Sequence, residues 1–249
     1  MKSDPHRSPH AALAKNGRYR KGREIERLLD LIPDSPPRRL LKIGAGSGWI
    51  SHYFAHHIAG QYHVDAVDVV DSRQLKEGYR FTLVADTALP FADCTFDIVI
   101  SNYVSEQVDG AQGQHLAEMR RILHLGGTGY LAATNRWMLI EPHCRLIFLS
   151  WWPCRWRTPY LRVWRKGDFY DCEPLEMLQL ERMLAEAGLL GCNMCMEGLW
   201  ATLEIERSSG FSTRFLARIP DALLRLFNPS NPTLVYTVVQ NERQANGVH

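Results

Sequence analysis

A chain of 249 residues is long enough for one α/β domain with a proper core and too short for two. Its 45% hydrophobic and 22% charged residues, with a net charge of only +2, describe a soluble globular protein and remove any global charge argument for nucleic acid. No apolar run reaches the length of a membrane span and the first residues lack a signal peptide's apolar core, so the expected compartment is the cytoplasm.

Residues 1 to about 20 carry Lys2, Arg7, Lys15, Arg18 and Arg20 against one acid, Asp4, with little apolar content, and are expected to form a flexible basic tail. The rest, 21–249, is expected to be a single domain. From Arg23 onward Ile25, Leu28, Leu29 and Ile32 make one apolar helical face, and Pro33 with Pro36 and Pro37 stop it. Next, Leu40-Leu41-Lys42-Ile43 has the length of a buried strand. It enters the turn Gly44-Ala45-Gly46-Ser47-Gly48, after which Ile50, Phe54 and Ile58 follow helical spacing. Glycines in such a turn adopt positive φ and let a ligand approach the backbone at a helix amino end. A dinucleotide fingerprint would need glycine where Trp49 stands, and a Walker loop would need Gly-Lys-Ser/Thr, so neither fits.

The run Tyr62 to Val70 reads as a second strand, with Asp68 near its carboxyl end, where nucleotide-binding α/β units place an acid on ribose hydroxyls; Asp65 and Asp71 are rivals. Further strands are expected over Arg80 to Ala85, Thr95 to Asn102 and Tyr130 to Ala133. A helix is expected through Leu116, Met119, Ile122 and Leu123. Alternating strands and helices call for a parallel doubly wound sheet with its ligand at the carboxyl ends of the strands. The six cysteines are scattered and read as reduced thiols; Cys192-x-x-Cys195 has half the spacing of a zinc site but no second pair, so no metal is expected.

Gly44-x-Gly46-x-Gly48 resembles motif I of the class I S-adenosylmethionine-dependent methyltransferases. Three further segments are similar to that family in the right order: Asp86-Thr87-Ala88-Leu89-Pro90-Phe91, Phe96-Asp97-Ile98-Val99-Ile100-Ser101-Asn102, and Arg121-Ile122-Leu123-His124-Leu125-Gly126-Gly127. The resemblance covers about residues 38 to 136. It implies a Rossmann-like, seven-stranded, mostly parallel sheet closed by an antiparallel hairpin. It implies S-adenosylmethionine as cofactor, held by Gly44, Ala45, Gly46, Gly48, Asp68, Val69, Asp86, Thr87 and Asn102, and its register favours Asp68 over the rival acids. The branch it suggests methylates small molecules, as quinone-biosynthesis methyltransferases do, at oxygen, nitrogen or carbon. Two departures stand out. Lys42 occupies the place where motif I usually has an acid, and the family's Glu-His after strand four is Glu106-Gln107 here. The lysine keeps open the alternative of a catalytically inactive, cofactor-binding or partner-binding relative.

Residues 137–172 are expected to be a helical cover insert. Trp137, Trp151, Trp152, Trp156 and Trp164, five of the seven tryptophans, fall in it, and no acid lies between Glu141 and Asp168 although six cations do. Pro153 and Pro159 are expected to break it into short helical pieces. Three readings compete: a lid over a substrate pocket, an element lying on an anionic membrane, and a packed extension with solvated cations. Single-stranded RNA also suits arginine with aromatics, but no Asn-Pro-Pro-Tyr-like motif follows strand four and the charge is near neutral. His143 is the candidate base or acceptor orienter, because its unperturbed pKa suits proton removal near neutrality. Tyr103, Glu141, Trp152 and Tyr170 are the candidates for the substrate pocket. A helix over Pro174 to Ala187 follows. Strands are expected near Asn193 to Glu197 and Leu203 to Ile205, then a second cover over 207–230 and a last strand through Val239. Two covers with few acids imply a lipophilic acceptor.

Overall fold

The structure is a computed structural model that describes residues 15–31, 37–57, 60–104, 110–141, 144, 146–170, 173–206 and 231–241. Its centre is a seven-stranded sheet. The strands are β1 (Arg38–Ile43), β2 (Tyr62–Asp68), β3 (Arg80–Leu83), β4 (Phe96–Asn102), β5 (Leu123–Thr134), β6 (Leu189–Asn193) and β7 (Thr233–Gln240), in the order β3-β2-β1-β4-β5-β7-β6. The first five run parallel, and β7 pairs antiparallel with both β5 and β6. The central strands are apolar on both sides because helices cover both faces.

One face packs α1 (Lys15–Leu28) and α2 (Trp49–His57) through Ile25, Leu28, Ile50, Tyr53 and Phe54 against Leu40, Val64, Ile98 and Ile100. The other packs α3 (Gln112–Ile122) and α5 (Met177–Glu186) through Leu116, Met119, Leu180 and Leu184 against Leu41, Val99, Leu131 and Tyr236. Between β5 and α5 lies the cover, with a 3-10 turn at Leu149–Trp151 and the helix α4 (Cys154–Val163).

Several expectations change. Lys15 to Arg20, assigned to the basic tail, are the first turns of α1, because Tyr19 packs edge-on against Trp49 and Tyr53 and holds that end onto α2. The strands expected over Asn193 to Glu197 and Leu203 to Ile205 give way to β6, which ends at Asn193, and a helix, α6 (Cys195–Glu206). The Asn193 side chain accepts from the Cys195 N–H at 3.0 Å and starts that helix, a local signal outweighed by apolar pattern in the sequence reading. Gly126 and Gly127 do not separate α3 from a strand; β5 begins at Leu123 and its register against β4 slips, from Phe96↔Leu123 to Ile98↔Thr128, so the glycines form a bulge. Pro159 lies inside α4 rather than ending it, on the helix's exposed side. The helical stretch expected within 207–230 lies outside the described residues.

Candidate functional site

The carboxyl ends of β1, β2 and β4 meet at the glycine turn. Gly44, Gly46 and Gly48 all take positive φ, at 71°, 51° and 83°. A Cβ on Gly44 would press on Val104 and one on Gly48 would collide with the Leu75 carbonyl, so these two are fixed by close packing. At Gly46 a Cβ would meet nothing within 4 Å; the loop opens there. Ala45 N–H donates to the Val67 carbonyl at 3.0 Å, which ties the turn to the end of β2.

Asp68 is the acid the fold brings to this turn. Its Oδ2 accepts from the Gly46 N–H at 2.9 Å and its Oδ1 from the Val69 N–H at 2.8 Å, leaving lone pairs on both oxygens for further donors. Asp65 is committed elsewhere, to Arg80 at 3.0 Å, and Asp71 to Arg73 at 2.8 Å, which together with Lys76 holds the Asp71 carboxyl well below the usual range. Val69 is exposed beside Asp68. Asp86 accepts from the Ala88 N–H at 2.8 Å and so shapes its own turn, while Thr87 lies next to Gln114 of α3. That loop is clamped: Glu118 accepts from the Leu89 N–H, and Arg121 donates to the carbonyls of Leu89 and Phe91. The Glu118–Arg121 pair lowers the carboxyl pKa and raises that of the guanidinium.

Asn102 ends β4, is 8% exposed, and its buried Oδ1 has no hydrogen-bond partner among the described residues. Arg18, on α1, is in the same condition at Nε. Tyr103 follows with φ 59°, a left-handed conformation rare for a bulky residue; its hydroxyl meets Thr233 Oγ1 at 2.6 Å and its N–H donates to the Ala132 carbonyl. An open cradle at Gly46, an acid with spare acceptors and orphaned polar atoms fit a polar ligand such as an adenosyl cofactor at this edge.

Lys42 does not aim its charge out of the loop. It is 2% exposed, and its ammonium donates to the carbonyls of Ile43 at 2.5 Å and Gly44 at 2.8 Å. Burial brings its pKa down to about 7, Asp68 opposes that and Arg18 reinforces it. Near it, His115 is buried against Ser101 Oγ at 2.9 Å, with a pKa lowered to about 4 by burial and then by Lys42. A cation next to motif I is therefore tolerated by turning it onto backbone oxygens and weakening its hold on the proton. Neither Arg18, which α1 carries across the sheet edge, nor the turn of Lys42 onto the carbonyls of Ile43 and Gly44 was legible in the sequence.

The other candidates are placed differently. Glu141 is 3% exposed and accepts from the Cys144 N–H within its own loop. Trp152 stands on the outer side of the cover, and Tyr170 is buried in that cover's small core with Leu146, Leu149 and Leu161. His143 lies outside the described residues. Cys195 is buried, bonded to the Val235 backbone, and Cys192 is exposed; among the described residues no cluster of metal-ligating side chains occurs.

Residues 41–131 match the family model for a methyltransferase domain. The matched stretch is little more than a third of the chain. It runs from inside β1 to the middle of β5 and so contains the glycine turn, Asp68, the Asp86 loop and Asn102. No curated protein sequence matches the chain. Among solved structures, the chain resembles the cyclase SpnF, at 15% identity over 89% of this chain and 80% of that one, with a TM-score of 0.53. A Haemonchus contortus phosphoethanolamine N-methyltransferase 2 in complex with S-adenosyl-L-methionine is similar at 16% identity, over 88% of this chain and 52% of that one, TM-score 0.53. The chain thus spans about half the length of that relative. The Burkholderia thailandensis 1,6-didemethyltoxoflavin-N1-methyltransferase, with S-adenosylhomocysteine bound, is similar at 17% identity over 90% of this chain and 79% of that one, TM-score 0.50. At these identities the likeness shows a shared Rossmann-like methyltransferase fold, and the cyclase among them shows that this fold does not by itself fix the reaction.

Proposed function

We propose that the chain transfers a methyl group from S-adenosylmethionine to a small, lipophilic acceptor at oxygen, nitrogen or carbon by direct displacement. The observation that carries the proposal is the open cradle at Gly46 with Asp68 bonded beneath it, inside a stretch that matches a methyltransferase domain. When bound, the sulfonium supplies an already activated methyl and its leaving group. What remains for the protein is to hold the donor, align the acceptor and keep water out.

In this reading Gly44, Ala45, Gly46 and Gly48 let the backbone approach the donor, and Asp68 and Val69 receive its ribose. Asp86 and Thr87 lie along its adenine side, and Asn102 offers its unpaired oxygen. Tyr103, held by Thr233, walls the acceptor side. Glu141, Trp152 and Tyr170 act through the cover, Glu141 and Tyr170 by fixing its shape. His143 is the proposed base or orienter, needed where the acceptor begins protonated. The Haemonchus and Burkholderia enzymes, by their names, methylate small molecules, which supports a small acceptor here.

The experiment is calorimetric titration with S-adenosylmethionine and S-adenosylhomocysteine on the wild type and Asp68→Ala, followed by transfer of a labelled methyl to lipid and aqueous extract fractions. We expect binding of both compounds, weakened on the order of 100-fold by the substitution, since hydrogen bonds to a charged group contribute about 1.5–3 kcal/mol each. Label should enter the lipid fraction. Absence of binding sinks the cofactor assignment, binding without transfer sinks the enzymatic one, and label confined to the aqueous fraction sinks the lipophilic acceptor.

A further inference from the structure

The cover builds a core of its own. Leu146, Leu149, Leu161 and Tyr170 pack together, and the buried Arg157 donates to the carbonyls of Trp152 at 2.8 Å and Ser150 at 3.1 Å with its guanidinium 5.9 Å from the Tyr170 ring. With that core complete, large apolar side chains still face outward. On α4 Trp156 and Val163 form an outward stripe at helical spacing, on a different side from the buried Arg157 and Leu161; Trp156 is 52% and Val163 78% exposed. The half-buried Tyr160 edges the stripe, packed on the cover's core with its hydroxyl donating to the Ile147 carbonyl at 3.2 Å. Ring contacts extend the stripe at both ends, Trp152 to Tyr160 at 6.1 Å and Tyr160 to Trp164 at 6.4 Å. A second exposed group lies beside the 3-10 turn, where Trp151 meets Trp137 and Phe148 at 5.4 and 4.8 Å and Ile140 bridges Ile147. Single exposed apolar residues are ordinary, but contiguous sets of this kind mark an interaction surface.

The charge on the surface names its partner. Arg155 and Arg162, seven residues apart and so both on one flank of the stripe, are exposed, as are Arg165 and Lys166, and residues 142–167 contain no Asp or Glu. We propose that this face of the cover docks on an anionic lipid surface. Its aromatic and aliphatic side chains enter the boundary between headgroups and acyl chains, and its cations meet the lipid phosphates. Segment 207–230 of the same chain is a poor occupant because it carries Arg207, Arg214, Arg218 and Arg225 against one acid, Asp221, the same sign as the surface. A second copy would likewise set cation against cation. Single-stranded nucleic acid matches the charge and the rings, but the exposed Leu139, Ile140, Ile147 and Val163 have no flat face on which a base stacks.

The cover is rooted at the methyl-transfer edge. Leu175 N–H donates to the Thr134 carbonyl and Arg136 N–H to the Leu175 carbonyl, so both ends of the insert leave from the carboxyl end of β5. Docking therefore brings that edge to the membrane.

The test is co-sedimentation of the full chain with phosphatidylcholine vesicles, with and without phosphatidylglycerol, with tryptophan emission followed in parallel. We expect at least ten-fold stronger partition onto the anionic vesicles, a loss of that preference at high salt and a blue shift of the emission, since each cation near such a surface contributes roughly five-fold. Arg155→Glu with Arg162→Glu, and separately Trp156→Ala with Trp164→Ala, should each lower partition at least ten-fold while leaving S-adenosylhomocysteine affinity and the unfolding temperature in place. No partition onto either vesicle, equal partition onto both, or unchanged partition in the variants overturns the proposal. So does displacement from anionic vesicles by single-stranded RNA, or a change from dimer to monomer in the tryptophan variant.

Discussion

The glycine-turn edge and the cover after β5 are both rich in aromatic and cationic residues, and they handle them in opposite ways. At the edge, cations among the described residues are committed inward or to an acid, apart from the unpartnered Nε of Arg18: Lys42 to two carbonyls, Arg73 to Asp71, Arg121 to Glu118 and two carbonyls. Its aromatics Tyr53 and Phe54 are buried. In the cover, among the described residues, Arg157 turns inward, while Arg155, Arg162, Arg165 and the tryptophans are exposed. The first arrangement offers the backbone and carboxylate groups that suit the small polar ligand proposed for it. The second leaves its apolar and positive surface to be completed by something larger than the chain.

Gly48→Ala should have the largest effect on the edge and none on the surface of the cover. The new methyl would meet the Leu75 carbonyl in a backbone at φ 83°, and the two penalties together cost about 2–4 kcal/mol. Thermal unfolding measures it; an unchanged midpoint would mean that the turn is not packed as described.

Arg157→Met should do to the cover what Gly48→Ala does to the edge, but locally. It leaves the carbonyls of Trp152 and Ser150 without their donor, at a cost of about 1–3 kcal/mol. Amide exchange should speed up across 146–163 and stay slow in β1 and β4. Uniform acceleration through the sheet would show that the cover and the sheet are one cooperative unit.

Lys42→Met sharpens the comparison through pH. The folded pKa of Lys42 lies near 7 against an ordinary 10.5, so between those values the unfolded chain takes up a proton that the folded chain does not. Stability therefore falls as pH drops from about 10.5 to about 7 and levels off below, and the methionine variant should lose that slope. His115, with its pKa lowered to about 4, adds a second decline between about pH 6.5 and 4 that the variant keeps, slightly reduced once the Lys42 charge is gone. Unfolding midpoints across pH 4 to 10.5 distinguish the two groups.

Trp156→Ala should do least to stability, within about 0.5 kcal/mol, because the ring rests on solvent rather than on the core. A larger loss on chemical denaturation would place Trp156 in the fold instead of on a docking face.

Local chemistry made part of this protein legible from the sequence alone. The glycine turn, the apolar strands around it and the order of strand and helix as far as β5 were determined by residue type and spacing, because turns and buried strands depend on neighbours a few positions away. Spacing from that turn left Asp65, Asp68 and Asp71 as rivals, and the register of the family resemblance favoured Asp68. The cover could be recognised as unusual by composition, though not which of its residues face out. Tertiary structure decided the rest. The Tyr103–Thr233 bond joins positions 130 apart, the lowered pKa of Lys42 depends on its burial in the sheet with Arg18 of α1 reinforcing it, and the burial of Arg157 depends on a core that exists only once Leu146, Leu161 and Tyr170 have met. Those contacts arise from chain segments that sequence spacing does not relate, and only the closed fold brings them together.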